Sequence, residues 1–225
     1  MSAKSIIRQE AKARRAALDE AYRTEATKEI VDRTAALIQV TITSYLEDEP
    51  GTDRLFTIAT YAPIDDEVDL SALYTHPLLA TYNIEYVVPI CLPEGRMEFI
   101  LTGTEDLQSP REKQPRYLTQ PFLVYSEDLL DGRHLYEPEE IDIMLVPGLA
   151  FDEHHFRIGY GAGYYDRYFA RYEANGTATH SIGICFATQR IENAFPNQFD
   201  QQVSWVVDED NISLLNRLGI NYEER

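Results

Sequence analysis

The stretch IDIMLV at residues 141–146, followed at once by Pro147-Gly148, limits the fold more than any other part of the chain. It is too short for a helix that buries itself, and the proline and glycine stop it abruptly. A brief, largely apolar run of this kind suits a strand covered on both faces, as strands are inside a parallel sheet. Further strand-like runs, rich in β-branched and aromatic residues, occupy 55–61, 84–89, 97–101, 180–186 and 203–207.

Helical patterns precede or separate these strands. Residues 2–17 are alanine-rich, with Ser2 as an N-cap. Over 22–45, Ala26, Ile30, Leu37, Ile38 and Ile42 keep roughly helical spacing until the acidic run 47–49 and Pro50-Gly51 end it. Shorter helices are expected near 70–74, over 164–172, and as a closing element at 212–218. The alternation predicts an α/β fold: three layers, α/β/α, around an open, mostly parallel sheet. One domain spanning 1–225 is expected. Residues 103–140, full of prolines and charges with only 122–125 strand-like, read as a long surface excursion, functional or mobile.

The formal charge of −18 argues against a nucleic-acid partner, because phosphate backbones need a positive surface. Residues 1–33 nevertheless carry eight Lys/Arg against six Asp/Glu, leaving 12 against 32 for the rest. An anionic ligand therefore meets favourable potential near the N-terminal segment. No apolar run reaches membrane-spanning length, and the N-terminus is charged from Lys4 onward, without a signal core. Cys91 and Cys185 lie far apart without metal-ligand spacing and read as buried thiols of a cytoplasmic protein.

The segment RIGYGAGYYDR, residues 157–167, carries the chemistry. Gly159, Gly161 and Gly163 let backbone amides approach a ligand and adopt positive φ. The helix expected after them leaves its first N–H groups unpaired. That outlines a phosphate cradle, with Asp166 placed to hold a metal ion; a glycine-rich turn with a capping aspartate fits the spacing equally well. The spacing G-x-G-x-G, more than ten residues after its strand, is not the dinucleotide fingerprint. No Gly-Lys-Ser/Thr and no G-x-S-x-G occurs. The neighbours His154 and His155 point apart on an extended loop, so a solvated or capping role is expected for both.

These residues together resemble the 5-formyltetrahydrofolate cyclo-ligase family, also called methenyltetrahydrofolate synthetase. The ordered set comprises Lys4-x-x-x-Arg8, the segment 61–70 containing Glu67, DIMLVPGLAFD at 142–152, RIGYGAGYYDR, Phe186-Ala187-x-Gln189 and Pro196-x-x-x-Asp200. The resemblance implies a fold similar to the sugar-phosphate isomerase and CoA-transferase-like group. It also implies ATP- and Mg²⁺-dependent conversion of 5-formyltetrahydrofolate to 5,10-methenyltetrahydrofolate by a monomer, with ADP and phosphate released.

Carried over by position, the resemblance implies that Lys4, Arg8, Arg157, Ile158, Gly159, Tyr160, Gly161, Ala162, Gly163, Tyr164 and Tyr165 bind ATP. Ala62, Glu67 and residues 160–164 would bind the folate, Glu67 accepting hydrogen bonds from its aminopyrimidine edge. Asp166 and Asp200 would hold Mg²⁺, and Arg157, Tyr164 and Asp166 would carry catalysis. On residues alone, Lys4 and Arg8 are solvated cations, Asp200 a loop-turn aspartate, and Asp65-Asp66-Glu67 a solvated loop.

The chain departs from the family pattern in four places. Tyr117-Leu118-Thr119-Gln120-Pro121 replaces a Gly-Ile-x-Glu-Pro element, and Ala162 stands where Gly or Lys is common. Ser204 stands where a second aspartate is common, and the His154-His155-Phe156 turn lacks the usual glycine. The altered central loop leaves open a folate- or nucleotide-binding homologue without turnover. A sugar-phosphate isomerase or acyl-CoA-transfer enzyme is the third alternative.

Overall fold

A computed structural model of the chain describes residues 2–48, 51–126, 130, 132–175 and 180–215. Helices α1 (Ala3–Ala16) and α2 (Glu20–Asp48) lead into β1 (Phe56–Ala59), β2 (Ile84–Cys91) and β3 (Met97–Thr102). Short helices α3 (Thr104–Gln108) and α4 (Arg116–Thr119) follow, then β4 (Ile143–Pro147), β5 (Ala150–Asp152) and β6 (Arg157–Ile158). Helix α5 (Tyr164–Asn175) precedes β7 (His180–Ile184), β8 (Arg190–Ile191), β9 (Trp205–Val207) and β10 (Ile212–Leu214).

Seven strands form one sheet in the order β10-β9-β7-β4-β1-β2-β3. The five inner strands are parallel; β3 and β10 close the two edges antiparallel. The expected three-layer α/β architecture is thus present. In β4 the side chains alternate between layers, as the period of two requires. Ile143 and Leu145 join a cluster with Ile30, Ile38 and Ile42 of α2. Met144 and Val146 join the opposite cluster with Tyr168 and Phe169 of α5. Buried Thr34 and Thr41 in α2 satisfy their hydroxyls on the carbonyls of Ile30 (2.7 Å) and Leu37 (2.9 Å), one turn back.

Three expectations about the course of the chain need correction, and a fourth concerns His155. The closing helix over 212–218 is instead strand β10 at Ile212–Leu214, antiparallel to β9, with 216–218 outside the described residues. Pairing with an edge strand overrode a weak helical pattern. The excursion 103–140 is not merely a surface loop: Leu107 and Leu118 are buried in the main core, and Tyr136 is buried beside β3, its amide donating to Phe99 O at 2.9 Å. Its strand-like piece makes one bridge, Val124 to Cys91. Finally, the glycine segment does follow a strand directly, because a second sheet, β6-β5-β8, intervenes after β4.

The small sheet is seated on the large one by Phe151, which is fully buried. A Cβ on Gly183 of β7 would lie 2.5 Å from the Phe151 ring, and one on Gly148 would lie 2.7 Å from it. The buried carboxylate of Asp152 ties the sheet together, accepting N–H groups from His154 (3.0 Å), Phe156 (2.9 Å) and Ala194 (2.9 Å). Gln189 donates to the carbonyls of Gly148 (2.8 Å) and Leu149 (3.0 Å). Helix α1 packs here through Ala11, against Leu149, Ala150 and Ile158.

His155 corrects the expectation of a solvated pair. His154 is exposed, but His155 is buried at φ +63°, its ring bonded to Val203 O (3.2 Å) and Ser213 Oγ (3.1 Å). It adopts the left-handed conformation that the absent glycine would otherwise provide. Burial holds its imidazole below the ordinary value, favouring the neutral ring.

Gly183→Ala is expected to destabilise the protein by about 1–3 kcal/mol through overpacking against Phe151. Urea denaturation measures it, and Gly183→Ala/Phe151→Leu should recover part of the loss.

Candidate functional site

A cavity of about 730 Å³ opens where α1, the glycine loop and the loop 197–201 meet. That volume suits a drug-sized ligand. Every residue expected to bind ATP, folate or metal lines it: Lys4, Arg8, Ala62, Glu67, residues 157–166 and Asp200.

The glycine loop runs from β6 into α5. Gly161 and Gly163 adopt φ of +108° and +67°, conformations a Cβ disfavours, whereas Gly159 does not. The loop is held from outside: Arg8 Nε donates to Gly159 O at 2.9 Å. Asp166 sits in the first turn of α5, where the helix dipole favours a carboxylate. It accepts from Arg157 Nη2 (3.3 Å) and from the Gln201 amide (3.4 Å), which brings the loop carrying Asp200 beside it. The Arg157 guanidinium also lies 4.9 Å from the centre of the Tyr165 ring. Asp200 pairs with Lys4 and accepts the Asn197 amide at 2.6 Å, so it is a turn residue and a cavity carboxylate at once.

At the other end stands Glu67, with a side chain only 4% exposed. One oxygen accepts the Ile64 amide (3.0 Å) and the other the Tyr160 hydroxyl (2.9 Å). Arg15 lies 3.7 Å from Glu67 and donates to the Tyr160 oxygen at 3.1 Å. Burial pushes the Glu67 carboxyl above its ordinary 4.5; the hydrogen bonds and Arg15 oppose that rise. Two bonds leave part of the carboxylate's acceptor capacity free for a ligand.

Lys12 and Arg15 were missed by motif reasoning, although Lys4, Arg8, Lys12 and Arg15 fall on one helical face. Lys12 Nζ lies 5.0 Å from the Tyr160 ring centre. Phe122, edge-on to Tyr160 at 5.5 Å, and Phe199 also line the cavity; no local pattern marked either. Cys91 lines it too and donates to Pro121 O at 3.3 Å, joining β2 to the altered central loop.

Residues 1–209 match the family model described as the 5-formyltetrahydrofolate cyclo-ligase family. The chain belongs to that family. The 5-formyltetrahydrofolate cyclo-ligase of Saccharomyces cerevisiae is 42% identical over 59 residues, covering 25% of this chain and 28% of that protein. The enzyme of the same name from Mycoplasma pneumoniae is 24% identical over 100 residues, covering 44% of this chain and 57% of the other. These matches therefore span less than two thirds of either relative. A solved 5,10-methenyltetrahydrofolate synthetase from Mycoplasma pneumoniae superposes with a TM-score of 0.66 at 21% identity, covering 92% of this chain and 99% of that one. The NMR structure of the Aquifex aeolicus 5,10-methenyltetrahydrofolate synthetase gives 0.63 at 24% identity, covering 99% and 97%. Both likenesses concern the fold.

Tyr160→Phe removes the hydroxyl that links Arg15 to Glu67 and should cost about 1–3 kcal/mol. The part due to Glu67 has a definite pH sign. Losing the donated bond raises the folded-state carboxyl further, so that penalty is absent below the unfolded value near 4.5 and grows as pH rises through the folded value. Denaturation midpoints between pH 4 and 8 test this.

Proposed function

We propose that this protein is an ATP-dependent cyclo-ligase converting 5-formyltetrahydrofolate to 5,10-methenyltetrahydrofolate, with ADP and phosphate released. One observation carries the proposal: a single cavity holds a cation-flanked glycine loop at one end and a buried, partly free carboxylate at the other. An enzyme transferring a phosphoryl group from a triphosphate to a folate needs both ligands facing one space.

The chemistry explains the requirement for ATP. A formamide carbon is a poor electrophile, and its oxygen would otherwise have to leave as hydroxide. Transfer of the terminal phosphoryl group to the formyl oxygen forms a P–O bond and releases ADP. The neighbouring anilino nitrogen then attacks the activated carbon, closing the five-membered ring, and the oxygen departs with phosphate. Catalysis is chiefly placement of two reactants and neutralisation of phosphate charge.

In this scheme Lys4, Arg8 and Arg157 face the phosphates, and loop amides from 158 to 165 supply further donors. Glu67 grips the aminopyrimidine edge, Ala62 leaves room beside it, and residues 160–164 place the formyl oxygen near the terminal phosphate. Asp166 and Asp200 offer the two hard-oxygen ligands that Mg²⁺ takes when phosphates and water complete its shell. Among the described residues no group of three or more His, Cys, Asp or Glu could hold a metal ion by itself. Mg²⁺, when bound, screens the charge that develops on the phosphates. Both carboxylates are paired with cations, Asp166 with Arg157 and Asp200 with Lys4, pairings for which a phosphate and a metal ion would compete.

Purified protein with 5-formyltetrahydrofolate, ATP and Mg²⁺ should generate the methenyl chromophore together with ADP. Ligand binding without ADP release would instead identify a homologue that binds but does not turn over. Asp166→Asn should lower turnover by roughly 10²-fold or more while the domain still folds, its urea midpoint falling only modestly with loss of the Arg157 pair and the helix-dipole interaction; near-normal turnover would reject its role.

A further inference from the structure

The glycine loop and Glu67 lie 93 residues apart in sequence yet are bonded directly, Tyr160 hydroxyl to Glu67 carboxylate, at 2.9 Å. A third group meets both. Arg15, with a side chain 3% exposed, reaches from the last turn of α1, its Nη2 on the Tyr160 oxygen (3.1 Å) and its Nη1 3.7 Å from the Glu67 carboxylate. One planar guanidinium thus backs the point where the glycine loop meets Glu67, without lining the cavity itself.

We propose that Arg15 is a positioning residue: it keeps Glu67 charged and aimed at the folate, and it holds Tyr160 of the nucleotide loop in register with that carboxylate. This rests on the assignment of Glu67 to folate binding. The guanidinium suits the task because one nitrogen donates to Tyr160 while the delocalised charge lies beside Glu67 at 3.7 Å, an arrangement a point-like ammonium on a flexible stem does not preset.

Several groups face the Glu67 carboxylate. Arg15 comes from α1, Tyr160 from the glycine loop, Tyr165 from α5, Tyr61 from the segment after β1, and Asp65 from its own turn. Arg15 carries the positive charge among them. Nearby Asp66 is occupied by Arg23 of α2 at 2.5 Å. Burial and Asp65 both favour the protonated carboxyl, so removing Arg15 leaves fewer opposing interactions.

The test is folate affinity against pH, by calorimetry with 5-formyltetrahydrofolate and the full chain, in wild type, Arg15→Met and Arg15→Lys. Wild-type affinity should fall on acidification as Glu67 protonates. In Arg15→Met that acid limb should move up by about one pH unit, about a tenfold weakening at a fixed pH on the limb, and affinity should recover in alkali. Arg15→Lys retains the charge and most of the packing, so its limb should lie between the two; it carries the test should the methionine variant lose its fold. Weakening by one factor at every pH, or no change, would overturn the positioning role alone. Wild-type protein that binds no folate at any pH would overturn the assignment of Glu67 and this proposal with it.

Discussion

The Phe151 ring, wedged between the Cα atoms of Gly148 and Gly183, is the contact from which the cavity is built. It joins the end of the parallel sheet to the small sheet β6-β5-β8, and β6 runs straight into the glycine loop. Close packing transmits such a constraint because buried side chains sit in fixed positions with little space to relax. Asp152 and Gln189 add directed bonds around the same junction, so the approach to the glycine loop is fixed by packing and by geometry.

The loop itself has little to hold it in place. Three glycines let its backbone approach a ligand closely, but their flexibility costs order that other parts must restore. Helix α1 supplies it through Arg8 on Gly159, Lys12 over Tyr160 and Arg15 beneath the Tyr160 hydroxyl. The same helix places positive charge in a chain of net charge −18. The cavity lining carries Lys4, Arg8, Arg157 and Arg167 against Glu67, Asp166 and Asp200, a slight local excess of positive charge in an otherwise acidic molecule.

Local signals identified the elements whose periodicity and boundaries agreed. Helix α1 began after Ser2 as its N-cap, and β4 ended at Pro147, just before Gly148. Failures came where partners distant in sequence decided the outcome. Residues 212–214 became a strand because β9 offered an edge. His155 was buried because Val203 and Ser213 reach its ring. The excursion folded onto the core through Leu107, Leu118 and Tyr136, scattered apolar residues that no period connects.

For the site, residue pattern alone marked the glycines and Asp166; Lys4, Arg8, Glu67 and Asp200 stood out only through the family resemblance, and the structure brings all of them to one cavity. Arg15 was marked by neither, since its significance lies in two partners, one 52 residues away at Glu67 and the other 145 away at Tyr160. Residue order determined the α/β class, the glycine cradle and its acidic neighbour, because those depend on short-range periodicity and backbone freedom. Folding alone decided which charges meet. Pairing energies depend on separation and burial, and both are properties of the packed chain in space.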